Sequence, residues 1–209
     1  VVWDRENNQQ LEILKMGSKE QSVLQKSGDD LRIDWGYLYA AVPISEVKSS
    51  FAGRSEDAIT AFTNKQPLPG MVGSDQGQRA VELKPVLAFD IPVNIPARTG
   101  VAKHVMLAYD DILSVEYFGK KLEGYWRKKF SGIEELFRVA ESEYASIKDR
   151  CSEYDRNLLS KAETLGGKEY ATICALAYRQ CMAAHKVVKD GNGQALCFSK
   201  ENFSNGSMG

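Results

Sequence analysis

The spacing of apolar positions changes character once along this chain. In the first half they recur every second residue, the period of a strand; from Ser131 onward they recur every three or four, the period of a helix. Leu31, Ile33, Trp35, Tyr37 and Tyr39 alternate with Arg32, Asp34 and Leu38, which predicts a strand with one aromatic face. Residues 11–16, 22–26, 81–83, 86–95 and 103–109 predict further strands, and residues 43–53 continue the β region. Residues 27–30, 66–70 and 73–77 carry turn chemistry, and 54–64 read as a polar connection. Pro92 and Pro96 suit sheet edges or strand ends, because proline has no N–H to donate. Strands this frequent, with no helix between them, predict a sandwich. Residues 109–119 lead out of the sheet and fit either a strand or a turn of helix.

The second half is helical by the same criterion. Ser131 with Glu134 predicts a capping box. Ile133, Leu136, Phe137, Ala140, Tyr144, Ile147, Cys151, Tyr154, Leu158, Ala162 and Leu165 then form one stripe, a helix of ~50 Å if unbroken. Gly166 and Gly167 predict its end, where a left-handed residue is needed. A second helix is expected over 168–188, with Tyr170, Ile173, Cys174, Ala177, Cys181, Ala184 and Val188 on one face. The two should pair antiparallel; the aromatics and the wide stripe favour packing inside a larger helical domain over a coiled-coil dimer. Asp190-Gly191-Asn192-Gly193 is a turn and 195–198 a short strand, followed by the polar loop 199–206 with Phe203 in it. The expected class is α+β: a sandwich portion, then long antiparallel helices.

Composition narrows the function classes. The chain has 209 residues, 43% hydrophobic and 26% charged, enough for one large or two small domains. A net charge of −1 makes no global case for nucleic acid or an anionic membrane, and no apolar run approaches the ~18–20 residues that would span a bilayer. The opening residues, Val1-Val2-Trp3, lack a basic leader and resemble mid-strand sequence; with the end at Gly209 inside a loop, an excised piece of a longer protein is expected.

Catalytic signatures are sparse. There is no phosphate loop, nucleophile elbow or zinc-protease motif. Ser45 and Lys48 match a serine–lysine spacing, but in β-like sequence that cannot hold both side chains on a first helical turn. His104 and His185 make no ligand cluster, so no metal or cofactor is expected. Cys151, Cys174, Cys181 and Cys197 fall on apolar faces or in a strand and are expected to be buried free thiols. The patch Tyr125-Trp126-Arg127-Lys128-Lys129-Phe130 fits either an anion or ring-stacking site or an amphipathic cover over a core. The carboxylates of interest are Asp29, Asp30, Asp34, Asp110, Asp111 and Glu201; paired acids can hydrolyse through an activated water. Asp34, beside Trp35 and Tyr37, is either an acid at a pocket rim or a strand charge paired with Arg32. The 199–206 loop either lines a site or is a solvated loop anchored by Phe203.

Five separate blocks carry a resemblance: GDDLRIDWGYLYAA (28–41), AYDDILSVEYFG (108–119), YWR (125–127), LGGKEYATICALAYRQCMAAHK (165–186) and FSKENFSNG (198–206). In this order they resemble the glutaminase A family of secreted or periplasmic fungal and bacterial proteins. The resemblance implies a sandwich portion over 1–118 and, over 119–209, the start of an α/α toroid that this piece leaves open, which would make it inactive alone. It implies hydrolysis of L-glutamine to glutamate and ammonia, with the remainder of the parent chain as partner. Within that frame, Glu201 is the acid/base candidate, Lys200 and Asn202 polarise or position the substrate, and Asp34 faces the same cavity from the sheet side. Trp35, Tyr37 and Trp126 would stack on sugars if the substrate were instead a carbohydrate, since sandwich-plus-toroid plans are common among glycosidases. A noncatalytic binding or scaffold module is the third class.

Overall fold

The computed structural model describes residues 1–8, 10–25, 35–71 and 80–199. The fold is α+β, with antiparallel sheets first and helices second. Among the described residues, those up to Ile112 build one compact unit and those from Leu113 on build another.

In the first unit, β1 (Val2–Asn7), β2 (Leu11–Gly17) and β3 (Tyr37–Pro43) pair antiparallel in sequence. β4 (Ser49–Arg54) runs into α1 (Ser55–Thr63); α2 (Ala80–Leu83) precedes β5 (Pro85–Asp90), which returns beside β4 as a separate hairpin. β6 (Met106–Asp110) closes the larger sheet, whose order is β1-β2-β3-β6. The β4–β5 hairpin packs on one face of that sheet, where Trp3, Ala52 and Leu83 form a core cluster with Met16 and Leu87 against it. Strand β2 is covered on both sides: Leu11, Ile13 and Leu14 have no exposed surface. Burial of that kind is worth roughly 1.5–3 kcal/mol per side chain.

The second unit opens with a short hairpin, β7 (Val115–Tyr117) and β8 (Lys120–Leu122), and a 3-10 turn (Tyr125–Lys128). Helix α3 (Ile133–Ser142) follows, then α4 (Tyr144–Ala184), then a second hairpin of β9 (His185–Lys189) and β10 (Ala195–Ser199). Inside α4, Gly167 has φ 81° and ψ −178°, which breaks the helix into two arms. The rings of Tyr154 and Tyr178 lie 5.5 Å apart. Twenty-four residues of straight helix would separate them by ~36 Å, so the arms fold back on each other as the expected antiparallel pair, with Gly167 at the corner. The Asp190–Gly193 turn forms as expected: Asp190 Oδ1 accepts from the N–H groups of Asn192 and Gln194, and Gly193 takes φ 76°.

Several expected elements differ. Residues 22–25 form a turn, not a strand, with Gln25 N–H on Ser22 O and Leu24 at φ 54°. Residues 81–83 belong to α2 instead of a strand. The strand expected over 86–95 stops at Asp90, just before Pro92. The polar stretch 54–64 contains α1, whose buried side is only Ala58 and Ala61, too narrow a stripe to announce itself. Ser131 is bonded by Glu135 rather than Glu134: its N–H and hydroxyl both donate to Glu135 Oε2, at 2.8 and 2.7 Å. The long first helix is interrupted at Glu143, between α3 and α4. The second arm ends at Ala184, because the β-branched pair Val187 and Val188 is taken into β9, where Val188 is fully buried. The cysteines are not buried: Cys151, Cys181 and Cys197 are exposed and Cys174 is partly so, all as free thiols.

Candidate functional site

Antiparallel register decides which side chains of the larger sheet share a face. Tyr39 stands opposite Lys15, Lys15 opposite Asp4, and Tyr37 opposite Asp110. Tyr37 and Tyr39, two apart on β3, therefore point the same way; their rings meet edge to face at 6.4 Å. Into this aromatic pair β2 inserts Lys15. Its Nζ lies 4.4 Å from the Tyr37 ring centre, 5.5 Å from that of Tyr39 and 3.2 Å from Glu6 Oε1. A hollow of about 200 Å³ opens beside it, lined by Val2, Trp3, Asp4, Lys15 and Tyr37.

A glycine corner sets the position of this aromatic end. Gly36 has φ 90°, and a Cβ there would sit 2.4 Å from Asp110 O. Only glycine fits both the angle and the space. On one side of the corner Tyr37 enters β3; on the other Trp35 is buried, its indole N–H donating to Asp111 O at 2.8 Å. The hydroxyl of Tyr109 donates to Trp35 O, and Gln21 Oε1 accepts from Gly36 N–H. Asp110 is buried and caps the corner by accepting from Ile112 N–H at 3.0 Å.

The electrostatics favour binding over proton transfer. Partial burial draws the Lys15 pKa down, but the Tyr39 phenol and the Glu6 carboxylate outweigh it, so the net shift is upward. Burial pushes the Tyr39 hydroxyl up, against the pull of Lys15, with Glu6 and Asp110 adding to the rise. At neutral pH Lys15 is a fixed ammonium and Tyr39 a fixed donor. Neither is poised as a base near pH 7. The Lys15 ammonium is thus held by the Glu6 carboxylate and two aromatic rings, and Asp4 lines the hollow beside it.

Of the residues singled out by sequence, Trp35 and Tyr37 flank this corner. Asp34, Lys200, Glu201 and Asn202 lie outside the described residues. Trp126 is half-buried in the second unit with the Arg127 guanidinium 4.4 Å over its ring. Among the described residues no group of three His, Cys, Asp or Glu side chains could hold a metal, and no helix is long and apolar enough to cross a membrane. Sequence reasoning missed Lys15 and Glu6. The available signal was the charge at Lys15 in an otherwise apolar run, but its aromatic neighbours come from strand register.

Comparison with known proteins finds two successive family matches, which meet inside α4 and not at the division between the two units. A family model described as "Domain of unknown function (DUF5127)" matches residues 1–161, and one described as "Glutaminase A six helical-hairpin domain" matches residues 167–209. Glutaminase A of Aspergillus oryzae (strain ATCC 42149 / RIB 40) is 25% identical over 195 residues, covering 90% of this chain. The chain belongs to the glutaminase A family. It spans 28% of that relative's length. No solved structure matches it. The helical-hairpin match begins at Gly167, where α4 turns back, so the second arm of α4 lies in that match, whereas the first arm up to residue 161 lies in the match to the domain of unknown function.

Proposed function

We propose that this chain is part of a hydrolase that releases ammonia from L-glutamine, leaving glutamate. The carrying observation is the similarity to Glutaminase A over 90% of the chain, supported by two family models in succession. The cluster around Lys15 supports a polar, charged substrate class, because it sets one ammonium against the Glu6 carboxylate beside Tyr37. In this reading Glu201 is the acid/base, Lys200 and Asn202 position the amide, Asp34 is a second candidate acid, and Trp35 and Tyr37 shape the binding surface. The same reading carries secretion or a periplasmic location, and a helical domain completed by further hairpins of the whole protein.

The test is ammonia release by the whole protein from L-glutamine, beside a panel of glycosides. Turnover of glutamine, lost in Glu201→Gln and reduced in Asp34→Asn, is the expected result. Turnover of a glycoside without ammonia would replace the proposal with carbohydrate hydrolysis. Full glutamine turnover in Glu201→Gln would keep the reaction and remove the residue from its role.

A further inference from the structure

The open end of the α4 hairpin carries two thiols that the proposed reaction does not use. Cys151 and Cys181 are both exposed and both free. Three features set them opposite each other. The arms turn at Gly167; Cys151 precedes it by 16 residues and Cys181 follows it by 14, so the two stand ~24 and ~21 Å along their arms. Near the corner Ala162 and Ala171 are buried, side chains small enough to let the arms approach closely. Further out, the Tyr154 and Tyr178 rings meet at 5.5 Å. Cys151 lies three residues before Tyr154, and Cys181 three after Tyr178. On antiparallel arms both steps run the same way, ~4.5 Å further from the corner, and residues three apart share a face. The Tyr178 hydroxyl is held above its ordinary range, first by its hydrogen bond with Tyr154, and Cys181 adds to the rise; that thiol is within electrostatic reach of the tyrosine pair.

Helices packed through alanine approach at the short end of the ~8–10 Å range between axes. With Cα atoms ~2.3 Å from each axis, facing Cα atoms come roughly 4–6 Å apart, the separation that a disulfide spans. Noncovalent packing is thin at this level. Tyr154 and Tyr178 are 49% and 40% exposed, and the first arm has no buried side chain before Ala162. Cys174 is no rival partner for Cys181, because seven residues of one helix separate them by ~10 Å.

We propose that Cys151 and Cys181 form a disulfide that clasps the two arms of the hairpin. The oxidant is a small disulfide, of which oxidised glutathione is the probe. One protein thiolate attacks a sulfur of that disulfide, whose S–S bond breaks and releases one glutathione thiolate. The second protein thiolate attacks the protein sulfur of the mixed disulfide and expels the other. The two protons of the protein thiols end on the two released glutathione thiols, and the protein is oxidised by two electrons.

The experiment is equilibration of the full chain with oxidised and reduced glutathione, alkylation of the remaining thiols, and tryptic mapping without reduction. Cleavage after Arg150, Arg156, Arg179 and Lys186 puts Cys151 in peptide 151–156 and Cys181 in peptide 180–186, while Cys174 and Cys197 fall in others. The expected result is those two peptides linked, in a chain of monomer mobility, with the link kept in Cys174→Ser. Oxidation should raise the thermal midpoint by about 5–10 °C, as for one disulfide closing a loop of this size. Cys151→Ser and Cys181→Ser should each melt as the reduced parent does and show no such rise. A link between two copies, a link to Cys174 or Cys197, thiols that stop at separate glutathione adducts, or an oxidised chain that melts no higher than the reduced one would each overturn the inference. None of these readouts involves glutamine turnover, so this inference and the proposed reaction fail separately.

Discussion

The two units bury their apolar side chains to very different degrees. In the sheet unit, Leu11, Ile13, Leu14 and Val42 are sealed completely. In the α4 hairpin the only buried residues are Ala162, Ala171 and Ala184, while Leu165, Ile173, Leu176 and Met182 are 58–81% exposed. Ile173 and Met182 lie on opposite sides of the same arm, so apolar side chains reach the surface on more than one face of that helix, between polar ones such as Lys168, Glu169 and Arg179. The sheet closes its core with residues near at hand, whereas the hairpin leaves Leu165, Ile173, Leu176 and Met182 at its surface. Side-chain pattern is therefore a good guide to element type in both units, but a guide to burial only where the packing partner is described.

The largest expected effect tests that difference directly. Leu14→Ala should cost about 2–5 kcal/mol, the range for emptying a sealed core site. Leu176→Ala, 60% exposed, should stay within about 0.5 kcal/mol. Urea denaturation of this chain measures both. Equal losses would mean that the hairpin surface is covered in solution, by a second copy or otherwise.

Glycine corners sharpen the comparison next. Gly36 and Gly167 both have φ near the left-handed region, 90° and 81°. At Gly36 a Cβ meets Asp110 O at 2.4 Å and Asp111 Cα at 2.9 Å; at Gly167 nothing lies within 4 Å. Gly167→Ala should therefore cost only the conformational penalty, about 1–3 kcal/mol for a backbone angle pair that only glycine adopts readily. Gly36→Ala adds a backbone clash and should cost about 1–3 kcal/mol more, with the fluorescence of Trp35 shifting as its hydrogen bond to Asp111 O is disturbed. An unchanged midpoint for Gly36→Ala would refute the account of this corner.

The ion pairs of the two units should separate in the same sense. Glu12 is sealed behind Arg5 and Ser50, its side chain 8% exposed against 39% for Arg5. Removing its charge by Glu12→Gln should cost about 1–3 kcal/mol, discounted from a fully buried pair because Arg5 stays in contact with solvent. Glu123 and Lys189, at 3.0 Å with side chains 41% and 29% exposed, should yield about 0–1 kcal/mol on Glu123→Gln. Reversal of that order in thermal melts would show that the Arg5 network is dispensable to the fold.

How far the sequence carried the reading follows from the same physics. The switch from period two to period three or four was legible, as were the Gly166-Gly167 corner and the 190–193 turn, because each rests on local backbone preference. Helix α1 was hidden because two alanines make no visible stripe. The strand fate of Val187 and Val188 was hidden because their helical spacing fits equally well, and pairing with β10 decides it. At the candidate site, Tyr37 was visible as part of an aromatic face. Lys15 and Glu6 were not, since their approach to it depends on which residues the strands set opposite each other, and that requires register.

The smallest expected effects are on the pH dependence of stability, with opposite signs in the two units. In the sheet unit, Lys15 and Tyr39 both hold their protons more tightly when folded. Their contribution is complete below about pH 10, where the unfolded groups are also protonated, and is lost as pH rises through the raised values. In the helical unit, Glu135 is lowered by the Ser131 hydroxyl and N–H. Its contribution is present above about pH 4.5 and lost as pH falls through the lowered value. Glu135 is fully exposed, so its share should be slight. Melting temperature followed from about pH 8 to about pH 11 should fall less steeply in Lys15→Met than in the parent sequence, while Glu135→Gln should flatten only the acid limb. An alkaline slope untouched by Lys15→Met would show that the ammonium, despite its place between two rings and a carboxylate, is no better held in the folded sheet than in the unfolded chain.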